Sequence, residues 1–555
     1  MLCVGLLPAS EHTGPGHATK HNFPEKSSPV TCRPKGMERW LQWLSGNSIL
    51  AIFIRKAKLP GMAQYIEGTD RCQPMLLPPA VDDYVSPASP VRAIDAFVDS
   101  LDLPGLGFKT RCDFSEGRSS YHPGTLLKLY LWGYLKRTRS SRGLENACAE
   151  NLQAIWLTGN LRPDHSTISD FRKLHPAALK SILREFNLIC FELRLFGKEL
   201  VAIDGTFIKA VNSPARSFTK AKLTKLIESI DTAVKRYLDE LQQADQSDTP
   251  ASSGIGSEKS EVAELQRKLA KIKERKALLT EYQARCEDSP TGQVNLTDPD
   301  ARQLRKRGKS TIGYNVQAAV DAKHHLIATI EVTQEANDQN LLDPIAQQTK
   351  VDLLLPSDAP LQVLADTGYG NGPQHSACEF HSTVALAPLQ KTKGEANGLY
   401  NNDRFIPDPA TDSYTCPQGM ILTRKADTKT TDTGGGFYTY YNAAACCGCP
   451  ARAQCTQSPF RKLLVSVHHE AVVRSRGRLA ADPSAMRTRA GLVEHPFSTI
   501  KDRHGFTGLL CRGIKLAGAE MGLSGWAYNF TRAINLVGID ALLGAIRLRT
   551  AAQPG

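Results

Sequence analysis

With 555 residues, 41% of them hydrophobic and 22% charged, the chain is long enough for several domains and apolar enough to bury real cores, which excludes a mainly disordered polypeptide. A formal net charge of +12 points to a polyanionic partner, with nucleic acid first. No apolar run approaches the ~18 residues needed to span a bilayer, and no basic start leads into a secretory cleavage site, so the expectation is a cytoplasmic protein whose cysteines stay reduced.

Residues 1–61 mix Gly, Pro, His and Lys without periodicity and are expected to be a disordered leader. Met62 opens a different texture, so the natural start is expected there or at a codon nearby. The alternative is a basic leader native to the chain.

Residues 62–197 read as a helical module. Val91, Ile94, Phe97, Val98 and Leu101 recur at helical spacing, and an apolar, aromatic run follows Pro123-Gly124. That run ends in basic residues that include Arg137, Arg139 and Arg142. Pro163-Asp164-His165-Ser166-Thr167 is rich in capping residues and predicts another helix start near Ser166. Short helices with Arg and Lys at their ends suit a DNA-binding module of helix-turn-helix type, although ordinary bundles share the pattern.

From Glu199 the pattern turns to strands. Leu200-Val201-Ala202-Ile203 runs into Asp204-Gly205-Thr206, and strands follow over residues 312–321 and 326–332. A helix over 341–350 leads to the strand 361–365, which ends at Asp366, and a further strand covers 383–389. The resulting order, β-β-β-α-β-α-β, is that of a ribonuclease-H-like mixed sheet in an α/β fold. Two insertions interrupt it. A charged helical hairpin occupies 219–290, read as a solvated face. A Cys-containing, β-rich segment occupies 394–475. The catalytic core is thus expected over 198–393 and 476–545, with a tail at 546–555. Asp321 reads as a turn residue after its strand and Asp338 as a helix start.

Asp204 and Asp366 each close a strand, and in this topology those strands are central neighbours, so the carboxylates converge. Glu494, within Leu492-Val493-Glu494-His495-Pro496-Phe497, is placed to complete the site from a flanking helix. Three carboxylates at one point repel one another unless cations lie between them. Mg²⁺ or Mn²⁺, as two ions, suits such an oxygen-rich set and phosphodiester chemistry.

Ala202-Ile203-Asp204-Gly205-Thr206, Leu364-Ala365-Asp366-Thr367-Gly368-Tyr369 and Val493-Glu494-His495-Pro496-Phe497 resemble the motifs of bacterial insertion-sequence DDE transposases. The branch catalogued as insertion-sequence family eleven-eighty-two is most similar, with supporting stretches at 296–302 and 313–321. The resemblance runs from about Tyr84 to Leu543. It implies a nucleoid-associated enzyme that binds terminal inverted repeats and target DNA, as a homodimer in the synaptic complex. It also implies metal-dependent strand cleavage followed by attack of the freed 3′-OH on target DNA. Asp204, Asp366 and Glu494 would hold metal, with Glu494 also accepting a proton. The related Tyr-Arg-Glu-Lys signature keeps Glu494 and Lys501 here, but Arg487 and Ala490 stand at its Tyr and Arg positions. Arg489 or Arg487 is left to substitute. The expected DNA contacts are Lys501, Arg489, Lys209, Arg137, Arg139 and Arg142.

Cys416, Cys446, Cys449 and Cys455 include a C-x₂-C pair and suit a tetrahedral structural Zn²⁺ site, with Cys447 an alternative to Cys446. Clustered thiols without metal are the plainer reading. Cys112, Cys148, Cys190 and Cys511 read as core residues. The C-terminal segment 518–543 reads as a helix packed behind the sheet. Two other functions stay open: a catalytically decayed, transposase-derived DNA-binding protein, and a metal-dependent nuclease that does not join ends.

Overall fold

The computed structural model describes residues 80–109, 120–246, 257–289, 291–306, 308–390, 397–430 and 436–552. The leader, the Met62 start and Cys112 lie outside the described residues.

Among the described residues six α-helices come first: α1 (Pro90–Asp99), α2 (Pro123–Leu135), α3 (Ser141–Glu150), α4 (Leu152–Thr158), α5 (His165–Leu174) and α6 (Pro176–Glu192). Their starts follow local chemistry. Proline occupies the first turn of α1, α2 and α6, where its missing N–H costs nothing. Ser140, Asn151 and Asp164 cap α3, α4 and α5 by accepting backbone N–H bonds. Gly159, at φ 60°, ends α4 in the left-handed region.

The central sheet opens with β1 (Leu200–Lys209). β2 (Ser217–Thr219) pairs with β3 (Gln293–Asn295) at the base of the inserted hairpin, formed by α7 (Lys220–Gln246) and α8 (Ser257–Asp288). Phe218, Leu223, Leu279, Cys286 and Val294 make the small core of that base. β4 (Arg302–Lys306), β5 (Lys309–Asp321) and β6 (Ile327–Thr333) follow, then α9 (Leu342–Asp352), β7 (Leu361–Leu364), α10 (Gly372–Phe380) and β8 (Thr383–Leu386).

β5 runs antiparallel to β1 from Val201↔Asp321 to Lys209↔Gly313. Its other edge takes β6, antiparallel, and beyond Gly313 the hairpin partner β4. β7 is parallel to β1 and β8 parallel to β7. The strand order is therefore β6-β5-β1-β7-β8, with β4 extending the β6 edge.

A second, antiparallel sheet is built from β9 (Ile406–Asp408), β10 (Ser413–Thr415), β11 (Ile421–Thr430), β12 (Gly436–Tyr441) and β13 (Leu463–Ser466). Two short helices, α11 (Ala443–Cys446) and α12 (Arg452–Cys455), join β12 to β13. Phe405, Tyr414, Leu422, Tyr440, Leu463 and Val465 form its separate core. The chain returns to the central sheet with α13 (His469–Ala481), α14 (Ala485–Ser498) and the long α15 (Ile514–Ala552), which bends at Gly538.

α15 lies between the sheet and the N-terminal helices, so helices and sheet share one continuous core. Phe97 meets Phe186 edge-on at 5.5 Å, and Trp526 stacks on Phe530 at 4.8 Å. Buried Asn187 and Asn529 bond each other at 2.8 Å and donate to the Ile327 carbonyl at the start of β6. Cys148 and Cys190 are buried core residues, while Cys511 is partly exposed.

Asp321 ends β5 and leads into the turn after it, as expected, and there it is fully buried and clamps the backbone N–H groups of Gly197, Lys198 and Lys323. Asp338 does not start a helix, since α9 begins after Leu341. Its Oδ1 accepts bonds from Asn315 Nδ2 and Gln317 Nε2, each at 2.8 Å.

Candidate active site

The site begins with two apolar strands in parallel register. Ala202 on β1 pairs with Leu364 on β7, and each is followed two residues later by an aspartate. Equal offsets bring Asp204 and Asp366 side by side, about 4.8 Å apart in the direction across strands, and alternation turns both to the face that carries Ala202 and Leu364. That face is covered by α14, whose Ala485, Leu492 and Val493 pack on Ala202, Val320, Leu364 and Leu386.

Arg489 lies on this sheet-facing side of α14. Its Nη2 is 2.9 Å from Asp204 Oδ2 and 3.7 Å from Asp366 Oδ2. Each aspartate is also tied to its own turn: Gly205 N–H donates to Asp204 Oδ1 and Gly368 N–H to Asp366 Oδ1, both at 2.8 Å. Burial pushes the Asp204 carboxyl above the usual range, and the Asp366 charge adds to this. The Arg489 charge and the Gly205 N–H bond oppose the shift.

Behind β1, on its other face, Tyr369 OH donates to Gln317 Oε1, which links the Asp366 loop to the Asp338–Asn315–Gln317 network. Gly205 is required there, because a Cβ would stand 2.3 Å from Gln317 Nε2 and 2.9 Å from Asp338 Oδ1. The sequence reading missed this support. Its signal was the polar pair Asn315 and Gln317, alternating on one face of an otherwise apolar strand.

Glu494 sits elsewhere. It is exposed, five residues beyond Arg489 and hence roughly 140° around the helix from it. Among the described residues no group of three or more His, Cys, Asp or Glu side chains is arranged to hold a metal ion. The two aspartates nonetheless fit a hard divalent cation: they are adjacent oxygen donors that already converge on one cationic group, the Arg489 guanidinium.

The helix continues past Ser498 into a wider turn, Thr499–Arg503. Lys501 Nζ donates to Thr206 Oγ1, two residues from Asp204. Burial, followed by the nearby Lys306 charge, holds the Lys501 ammonium below the usual lysine range. Lys209 is exposed at the end of β1, beside Gly508. Arg137 and Arg142 are exposed, and the Arg137 and Arg503 charges act together with burial to depress His504.

Arg139 is a correction. It is buried, stacks over Phe506 at 3.9 Å, donates to the Gly508 carbonyl and pairs with fully buried Glu520 at 3.4 Å. Its guanidinium ties the N-terminal helices to the core and does not face a ligand. Arg489 likewise engages the aspartates, whereas Arg487 is exposed on the outer side of α14.

Cys416, Cys446, Cys449 and Cys455 all line one small cavity of about 30 Å³ in the second sheet unit. Burial raises the Cys455 thiol above its ordinary value, with the three neighbouring thiols adding to the shift and Arg461 opposing it. Cys447 is exposed and lies outside that lining.

The site thus sets two strand-end aspartates of an α/β sheet beneath a helix that carries Arg487 and Arg489. Residues 79–174 match the family model described as "Transposase domain (DUF772)", and residues 415–534 match that described as "Transposase DDE domain". These matches support a DDE transposase, an enzyme class that cuts and transfers DNA. The second match spans Arg489, Glu494 and Lys501, and neither spans Asp204 or Asp366. No curated protein matches the chain. A solved structure of the piggyBac transposase synaptic complex with hairpin DNA is similar over 83% of this chain and 79% of that chain. Its identity is 9% and its TM-score 0.29, too low to carry any argument about fold or function. No described helix is long and apolar enough to cross a membrane.

Proposed function

We propose that the chain is an insertion-sequence transposase that binds terminal inverted repeats and catalyses metal-dependent DNA cleavage and strand transfer. We read the strand order β6-β5-β1-β7-β8 as ribonuclease-H-like, and the protein as a member of the branch catalogued as family eleven-eighty-two. The observation that carries the reading is the register-matched pair Asp204 and Asp366 converging on one cation beneath a helix of the matched DDE segment.

Asp204 and Asp366 would hold the divalent ions, which would supply activation of the attacking hydroxyl and stabilisation of the leaving oxygen. With metal bound, Arg489 would give up the space between the aspartates, and Glu494, exposed on the same helix, would serve as third ligand and proton acceptor. Lys501, with Lys209, Lys306, Arg137, Arg142 and Arg503, offers cations to DNA phosphates around the carboxylates. Two ends held together call for a homodimer. The four cavity-lining cysteines would supply the thiolates of a structural Zn²⁺ site.

The test is cleavage and joining of the element's end DNA with Mg²⁺, comparing wild type with Asp204→Asn, Asp366→Asn and Glu494→Gln. Wild type should cut and join, and each variant should bind DNA without cutting. The Arg489 ion pair favours one alternative, a DNA-binding protein without catalysis. Wild type that binds ends and cuts under no metal would select it. Cutting without joining would select a nuclease.

A further inference from the structure

Beyond the carboxylates, β1 runs on for five residues from Asp204 to Lys209, about 17 Å at ~3.3 Å per residue. There it enters the wall of a groove of about 980 Å³, closed by the β4–β5 hairpin and the first turns of α7. Of its fifteen lining residues four are basic, seven are neutral hydrogen-bonding side chains and none is acidic. A merely solvated face would mix both charge signs, as the outer part of the hairpin does with Lys276–Asp231 and Lys268–Glu264.

The basic groups are Lys209, Lys222, Lys225 and Arg305. Lys222 Nζ is held at 2.7 Å by the carbonyls of Pro214 and Ser217, which leaves one of its three N–H donors free. Lys225 and Arg305 are exposed and have no ion-pair partner among the described residues. Asn212 Nδ2, in the same wall, is buried with no acceptor. Cations and hydroxyls are the donor set that sugar-phosphate backbones take without regard to base sequence.

We propose that this groove grips the phosphate backbone of duplex DNA about five base pairs from the bond acted on at Asp204, taking ~3.4 Å of helix axis per base pair. The inserted hairpin thereby supplies one wall of the DNA path instead of being a bystander. The inference rests on the transposase reading and deepens it by assigning a second contact region on the same DNA.

The experiment measures binding of end duplexes from 0.05 to 0.3 M salt by wild type and the double variant Lys225→Gln/Arg305→Gln. Each lost phosphate contact lowers the slope of log affinity on log salt by about 0.9. The double variant should therefore lose about 1.8 from the slope, and affinity at 0.15 M salt should fall on the order of 30-fold. Both substitutions are on the surface, and an unchanged melting temperature checks the fold. Duplexes cut back to fewer than five base pairs on one side of the cleavage point should weaken wild type to the same degree and leave the double variant unaffected. If wild type binds and cuts end DNA while the variant keeps its affinity and slope, the groove assignment falls and the transposase reading stands. If wild type binds no DNA, both fall together.

Discussion

Replacing Arg489 with Ala should tighten divalent-cation binding at Asp204 and Asp366. The guanidinium already holds the place between the two carboxylates, 2.9 Å from one and 3.7 Å from the other, so any incoming ion must first displace it. Opposite charges ~4 Å apart attract by about 4 kcal/mol at an effective dielectric of ~20. Solvent reaches the pair: the Arg489 and Asp204 side chains keep 16% and 21% of their exposure, and the released guanidinium regains water. About a third of the attraction, ~1.4 kcal/mol, is then the expected net gain, or roughly tenfold in affinity. Titration calorimetry or electron paramagnetic resonance with Mn²⁺, on protein without DNA, measures this directly. Arg487→Ala is the control, because it removes the same charge from the outer side of the same helix and should change little. An Arg489→Ala variant that binds Mn²⁺ no more tightly than wild type would refute the competition argument, and a weaker one would reverse it.

His375 should impose an acid limit on stability. Burial pushes its pKa down to about 4 from 6.5, although its Nε2 bonds the Ala387 carbonyl at 3.2 Å. The unfolded chain therefore binds the extra proton first, so the stabilisation is full above pH ~6.5 and is lost as pH falls toward 4. The loss amounts to about 3 kcal/mol. Melting temperatures across that window should fall less steeply for His375→Leu, and parallel curves would refute the assignment. Glu520 is fully buried and accepts the N–H groups of Leu510 and Cys511 while facing Arg139. Glu520→Leu leaves that guanidinium unpaired in the core and should cost about 3–5 kcal/mol in urea unfolding; a cost below ~1 kcal/mol would show the pair to be dispensable. For the cysteine cavity, metal analysis of purified protein should find about one zinc per chain, lost in Cys449→Ser and unaffected in Cys447→Ser. Zinc retained in Cys449→Ser, or absent from wild type, would end that proposal.

The central sheet was legible because its strands are apolar runs with sharp ends. The strand expected at 361–365 is Leu361–Leu364, and the helix expected at 341–350 is Leu342–Asp352. The helix start expected near Ser166 follows from Asp164, whose carboxylate caps it. β4 escaped notice because Arg302–Lys306 is an edge strand with mostly polar residues, so periodicity has little to report. The C-terminal helix is longer than the 518–543 segment and packs between sheet and helices. An amphipathic pattern shows that a helix is buried but not which partner it meets.

The candidate site divides along the same physical line. A strand fixes the direction of every side chain through its period of two, so Asp204 and Asp366 could be paired from sequence by counting residues to the strand ends. A helix fixes direction only once its rotation about its own axis is known, and for α14 that rotation is set by Ala485, Leu492 and Val493 seating on the sheet. That seating puts Arg489 inward and Glu494 outward. Bringing Glu494 to the aspartates therefore requires the helix to turn or its end to rewind, and the wide turn Thr499–Arg503, immediately beyond it, is where backbone geometry already departs from the α-helix. Lys501, anchored on Thr206, holds the far side of that turn to β1. On the proposed mechanism, ejecting Arg489 from the carboxylates and drawing in Glu494 would be two ends of one movement. Metal binding, by competing for the aspartates, would favour both.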